Sequence, residues 1–166
     1  MPAKSSSADK SDKIDPAGAF IRICRYCAYQ ERSHHEVRNK LQSFGLKTDT
    51  VDELLSRLIT DGFVNETRFA KAFAGGKFRM KGWGRLKIEI ALKAHDVSSK
   101  CIAIGLDEIN EDDYRDTLKK LIIKKSEAVT VDNVYKKRDT ISKYLIGKGF
   151  EPELVWEALR EILPGN

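Results

Sequence analysis

Three stretches of the chain place apolar residues at the same offsets. Val37, Leu41, Leu46, Val51 and Leu55 stand at offsets 0, 4, 9, 14 and 18, with Gly45 at offset 8. Ile88, Leu92, Asp96, Val97, Ile102 and Leu106 repeat the series, as do Ile141, Leu145, Gly149, Phe150, Val155 and Leu159. A step of four keeps side chains on one helix face. The turn-type residue at the third position then stops that helix before a second apolar stripe begins. Self-similarity at about 50 residues is the signature of stacked helical units that bury their faces against neighbours. No alternating segment of strand length stands out, and the short Leu121-Ile122-Ile123 run suits a helix equally well. The expected fold is all-α: an elongated array of three tandem three-helix, helix-turn-helix-like repeats. Their bounds are 16–64, 65–110 and 111–166, behind a disordered tail at 1–15.

Local signals place the helices within each repeat. In the first, one helix covers about Ala17 to Gln30. The next opens at Ser33, where Ser33 and Glu36 have capping-box spacing, and stops at Gly45. The third runs from Thr48 to Asp61-Gly62. In the second repeat Asn65 is a plausible cap, and Phe69, Phe73 and Met80 make an apolar stripe. Gly75-Gly76 predicts a bend or frayed turn, because an interior glycine costs up to about 1 kcal/mol relative to alanine. Gly82-Trp83-Gly84 is a loop. The following helix buries Ile88, Ala91, Leu92 and His95 and ends at Asp96, after which Ser98 caps another. Glu108 to Asp113 reads as an acidic linker. Beyond it come a helix with Leu118, Leu121 and Ile122, a second over Asp132 to Lys148, and a third from Pro152 to Leu163.

The offset-8 residues carry a conformational expectation. Gly45 and Gly149 suit a left-handed turn, so Asp96, their repeat partner, is expected at positive φ, which aspartate tolerates with some strain.

Composition narrows the function classes. With 41% hydrophobic and 33% charged residues, the chain fits a helical protein with narrow apolar faces, and no apolar run approaches the roughly 18 residues of a membrane helix. Met1 to Asp15 lacks the apolar stretch of a secretory signal. A net charge of +5 points moderately toward a polyanionic partner. Three cysteines, an odd number, argue against a disulfide framework and for a reducing compartment, so a cytoplasmic location is expected; the chain is also expected to be a monomer.

Catalytic and metal chemistry find little support. Cys24-Arg25-Tyr26-Cys27 is a CxxC, but a redox site of that type needs a strand-to-helix turn, and the nearby His34-His35 is not a spaced zinc pair. Packing on a buried helix face is the simpler reading. No phosphate-binding glycine loop, metalloprotease or nucleophile-elbow motif occurs. The expectation is a non-enzyme with no catalytic residues, no metal and no cofactor.

One segment resists a bland reading. From Thr67 to Ile88 the chain carries Arg68, Lys71, Lys77, Arg79, Lys81, Arg85 and Lys87 without a single acid, in a protein with 25 of them. Arg68, Lys71 and Arg79 fall within about 80° on an ideal helix. Lys81 and Arg85 flank Trp83. Basic groups beside an aromatic ring are the elements of a phosphate-backbone or single-strand site. Trp83 has a structural reading too. If Gly84 is an N-cap, Trp83 and Ile88 are the two members of a hydrophobic staple, a role compatible with contact.

Those residues also resemble a known family. Lys81-Gly82-Trp83-Gly84-Arg85, followed by Ile88 and Leu92, is similar to the KGWG-R motif of the RecX family of recombinase regulators. Asp61 to Ala70 resembles that family's "hydrophobic, two acids, x, Arg-Phe-Ala" segment, and Leu145 to Phe150 its terminal "L-x-x-[RK]-G-F". The likeness spans about Ala19 to Leu163. Departures are Asn65-Glu66 where two acids are usual, Asp96 for a glycine, and Gly75-Gly76 in a helix usually richer in basic residues. The resemblance implies a crescent of three three-helix units that lies in the groove of a RecA recombinase–DNA filament. It further implies depression of ATPase and strand-exchange activity, in recombination, DNA repair and the SOS response. Weak, non-specific binding of single- or double-stranded DNA fits the basic run. The alternative is a helix-turn-helix-like nucleic-acid-binding module, although three unequal repeats in one chain do not resemble a dimeric reader of two-fold sites.

Overall fold

The computed structural model describes residues 14–165, and the tail expected at 1–15 lies almost wholly outside them. Its last residue does not: Asp15 caps the first helix through its side chain, which accepts from the Gly18 amide. Among the described residues there are nine α-helices and no strand. They are α1 (Pro16–Tyr29), α2 (His34–Ser43), α3 (Thr48–Thr60), α4 (Glu66–Lys81), α5 (Arg85–Ala94), α6 (Ser99–Leu106), α7 (Glu111–Ala128), α8 (Val134–Gly147) and α9 (Pro152–Ile162). The chain divides into two compact units, one up to Asn65 and one from Glu66 onward.

The first unit is a single helix triplet. Ser33 and Glu36 form the reciprocal capping box, at 3.0 and 2.8 Å, and so fix the start of α2. Ala19, Ile23 and Cys27 of α1 meet Val37 and Leu41 of α2 and Val51, Leu54, Leu55 and Leu58 of α3 in one core. Arg32 lies 3.8 Å from the Tyr26 ring centroid and donates from Nε to the Tyr26 carbonyl, tying the α1–α2 loop back onto α1.

The second unit contains two triplets, α4–α6 and α7–α9, that share one core. Phe78, Tyr114 and Phe150 carry that core from one triplet to the other, with ring centroids 5.7 and 5.1 Å apart. Within the first triplet α4 and α6 approach closely at Ala70 and Gly105. A Cβ at Gly105 would lie 2.7 Å from the Ala70 carbonyl oxygen.

The repeat is visible atom by atom. Gly45, Asp96 and Gly149 have φ of 78, 58 and 96°. In each turn the offset-8 amide donates to the carbonyl three residues back: Gly45 to Gln42, Asp96 to Lys93 and Gly149 to Ile146, at 2.9, 3.0 and 2.9 Å. Of the fifteen apolar repeat positions all are buried except Leu46 and Leu106, which are half-buried.

Four expectations need correcting. Helix α4 runs unbroken through Gly75-Gly76. A Cβ at Gly75 would lie 2.7 Å from the Arg79 guanidinium, whereas one at Gly76 would meet nothing within 4 Å. Packing of Phe69, Ala70, Ala74 and Phe78 holds the helix together despite the weak local propensity. Met80 is 83% exposed and leaves the apolar stripe. In α5, Ala91 and His95 are only half-buried, His95 stacking on the rings of Phe69 and Phe73. The acidic stretch Glu108 to Asp113 is no linker throughout. Asn110 caps α7, and Glu111, Asp112 and Asp113 form its first turn, where the helix dipole favours carboxylates.

Candidate functional site

The site residues predicted from sequence all lie in the second unit, on α4, the 82–84 loop and α5. The loop is held by backbone rather than by side chains. Gly84 donates to the Lys148 carbonyl at 2.8 Å, and Leu86 donates to the Gly149 carbonyl at 2.9 Å. The two backbone segments are so close that a Cβ at Gly84 would stand 2.2 Å from Gly149 C and Phe150 N. The glycine before Arg85 is therefore required by close approach, since its φ of −76° is open to any residue. Gly84 is the N-cap of α5, which puts Trp83 and Ile88 in the staple positions. Ile88 is fully buried, and Trp83 packs half-buried against the same core.

This anchoring holds Trp83 among lysines. Lys77 Nζ lies 4.9 Å and Lys87 Nζ 4.5 Å from its ring centroid. Lys148, from the end of α8, reaches the same loop: its Nζ donates to the Lys81 carbonyl at 3.1 Å. Lys148 is also 5.7 Å, and Lys125 4.1 Å, from the centroid of Tyr144. Among the described residues, Lys77, Lys81 and Lys87 pair with no carboxylate, so no carboxylate neutralises their charge; Lys81 is exposed, Lys77 and Lys87 half-buried.

Arg85 and Lys71, both predicted site residues, are held by carboxylates. Arg85 is a structural cation. Its Nη1 donates to Glu111 at 3.0 Å, its Nε lies 2.9 Å from Glu151, and its guanidinium covers the Tyr114 ring at 3.9 Å. The Arg85 amide donates to the Tyr114 hydroxyl, which in turn donates to Glu151 at 2.5 Å. Burial works against the guanidinium charge, but the Glu111 and Tyr114 hydrogen bonds and the Glu151 carboxylate outweigh it and raise its pKa. The hydrogen bond from Arg85 lowers the Glu111 pKa, and burial with the Glu151 hydrogen bond pushes the Tyr114 phenol up. Lys71 is the second, 3.3 Å from Glu108. Arg68 and Arg79 are exposed, with Arg79 bordering a cleft beside Asp113 and Asp116. The three groups placed on one arc of α4 thus do not form one free cationic face.

Lys125, Tyr144 and Lys148 escaped the sequence reading. They lie far along the chain from the run, and the packing of the two triplets, with the 149–151 turn against Gly84 and Lys148 on the Lys81 carbonyl, brings this part of the chain to it. The CxxC sits in α1, with Cys27 buried and Cys24 half-buried. Burial pushes the Cys27 thiol up to about 11 and raises Cys24 as well. Among the described residues no three His, Cys, Asp or Glu side chains gather as a metal site, and no helix is long and apolar enough to cross a membrane.

Known proteins resemble this chain along most of its length. The family model for the first three-helix domain of RecX matches residues 19–58, and that for the second matches residues 65–106. The regulatory protein RecX of Prosthecochloris aestuarii is 26% identical over 149 residues, covering 90% of this chain and 96% of that protein. The regulatory protein RecX of Oceanobacillus iheyensis is 24% identical, covering 87% of this chain but 53% of the relative, so the chain spans about half the length of some relatives. Among solved structures, RecX from Lactobacillus salivarius superposes with a TM-score of 0.80 at 20% identity, over 89% of this chain and 96% of that one. The matched segments take in α4, the 82–84 loop and α5, and the chain belongs to the RecX family.

Proposed function

We propose that the chain is a non-enzymatic regulator, an inhibitor, of a RecA-type recombinase. It binds in the groove of the recombinase–DNA filament and lowers ATPase and strand-exchange activity. The observation that carries the reading is the acid-free segment from Thr67 to Ile88, whose Lys77, Lys81 and Lys87 stay free of carboxylate partners around an anchored Trp83. A filament of protein and phosphate backbone is a polyanionic surface that such a site complements. The three-repeat division at 16–64, 65–110 and 111–166 belongs to the proposal, each repeat being one module laid along the filament. So do action in the cytoplasm and action as a monomer.

The test replaces Lys77, Lys81 and Lys87 together by glutamate. None of the three ammonium groups belongs to the Arg85 network, so the melting temperature should stay close to that of the parent. Inhibition of a RecA-type recombinase's DNA-dependent ATPase should fall sharply. A folded variant that inhibits like the parent excludes this surface.

A further inference from the structure

Two aromatic rings of the second unit are each flanked by two lysines. Trp83 lies between Lys77 and Lys87, and Tyr144 lies between Lys125 and Lys148. The two stations are joined. Lys148 donates to the Lys81 carbonyl beside Trp83, a Cβ at Gly82 would touch Lys148 Cε at 3.6 Å, and Lys87 Cβ abuts Gly149. Lys71, Lys93, Lys119 and Lys143 all pair with carboxylates, yet among the described residues Lys77, Lys81, Lys87, Lys125 and Lys148 do not. Trp83 is half-buried and Tyr144 is 39% exposed, so both present ring edge or face to solvent.

We infer that this continuous strip, running from α4 and α5 across to α7 and α8, is a binding track for single-stranded nucleic acid. It rests on the proposed function only in that a recombinase filament holds such a strand. A lysine over a partly exposed ring is held weakly enough for a phosphate to redirect it. The ammonium groups then follow the backbone, and the uncovered rings accept bases by stacking, which tolerates any sequence. A duplex keeps its bases stacked inside and cannot use the rings. The track therefore prefers single strands.

The test leaves the predicted basic run intact and changes only the far station: Tyr144→Ala with Lys125→Gln and Lys148→Gln. Binding of a fluorescein-labelled oligo(dT) to the full chain is followed by anisotropy across a salt series, with no recombinase present. The track predicts at least tenfold weaker binding. The slope of log affinity against log salt should also become shallower by about 1.4, at roughly 0.7 per lost phosphate contact to a single strand. Circular dichroism and melting should match the parent. Unchanged affinity and slope in a folded variant overturn the track, as does a parent chain that binds oligo(dT) no better than a duplex of equal length. Recombinase ATPase inhibition is measured beside it. A variant that loses inhibition but keeps oligo(dT) binding assigns the strip to a protein contact, which refutes the nucleic-acid track and leaves the regulatory reading standing.

Discussion

At the scale of single residues, the three offset-8 turns ask for the same backbone but differ in their surroundings. Asp96 has φ 58°, in a region that costs a residue with a Cβ about 1–2 kcal/mol. Asp96→Gly is therefore expected to be neutral or slightly stabilising, despite glycine's larger unfolded-state entropy. Gly149 has φ 96°, and any Cβ there would stand 2.3 Å from Lys87 Cβ and 2.5 Å from the Lys87 amide. Gly149→Val should lose more than about 1 kcal/mol in a denaturant melt, since strain and backbone collision add. Equal losses from the two substitutions would contradict the repeat alignment at the turn. Gly76→Ala is expected to gain about 0.5–1 kcal/mol, because the position is helical and open. Cys27 supplies a pH test. Its thiol is raised from 9.0 to about 11, so the stability linked to it is full below pH 9 and lost as pH rises through 11. Thiol-reagent kinetics should show Cys27 inert at pH 8 in the folded chain. The left-handed turns were legible in sequence because few residue types tolerate positive φ. The Gly75-Gly76 bend was misread because tertiary packing overrides a local propensity worth about 1 kcal/mol.

At the scale of elements, the 82–84 loop is the seam between the two triplets of the second unit. Gly84→Ala would drive a methyl into backbone at 2.2 Å and should cost about 1–3 kcal/mol or more, separating α5 from the 149–151 turn. Arg85→Gln should cost about 1–3 kcal/mol by leaving the half-buried Glu151 without its cation, while Glu111 keeps Arg115. Arg85→Glu should be worse, with three carboxylates in one place. The pH dependence follows from Glu111, whose folded pKa is lowered by Arg85. Its contribution is present above the ordinary carboxylate range and lost as pH falls through the lowered value. Thermal melts from pH 7 down to pH 3 should show the parent losing stability more steeply than Glu111→Gln. Sequence reasoning located the KGWG-R segment but misassigned Arg85 to the outer surface. Its partners are 26 and 66 positions downstream, and no local period connects them.

At the scale of the molecule, the helices and their stops were legible because one spacing recurs three times and thirteen of its fifteen apolar positions are buried. The charged surface was legible only in part. Acid-free sequence marks where a field can arise, but folding decides which cations remain available. Lys71 and Arg85 are consumed by Glu108, Glu111 and Glu151, while Lys125 and Lys148 join from the third triplet. On the proposed reading, the lysines around Trp83 that lack carboxylate partners, rather than the arginine beside it, contact the filament. The most direct measurement is the DNA-dependent ATPase of a RecA-type recombinase titrated with three folded proteins: the parent, the Lys77/Lys81/Lys87→Glu variant and Arg85→Gln. The triple variant should lose inhibition, while Arg85→Gln, although less stable, should inhibit like the parent below its melting temperature. Undiminished inhibition by the triple variant, or loss of inhibition by folded Arg85→Gln alone, would contradict this reading.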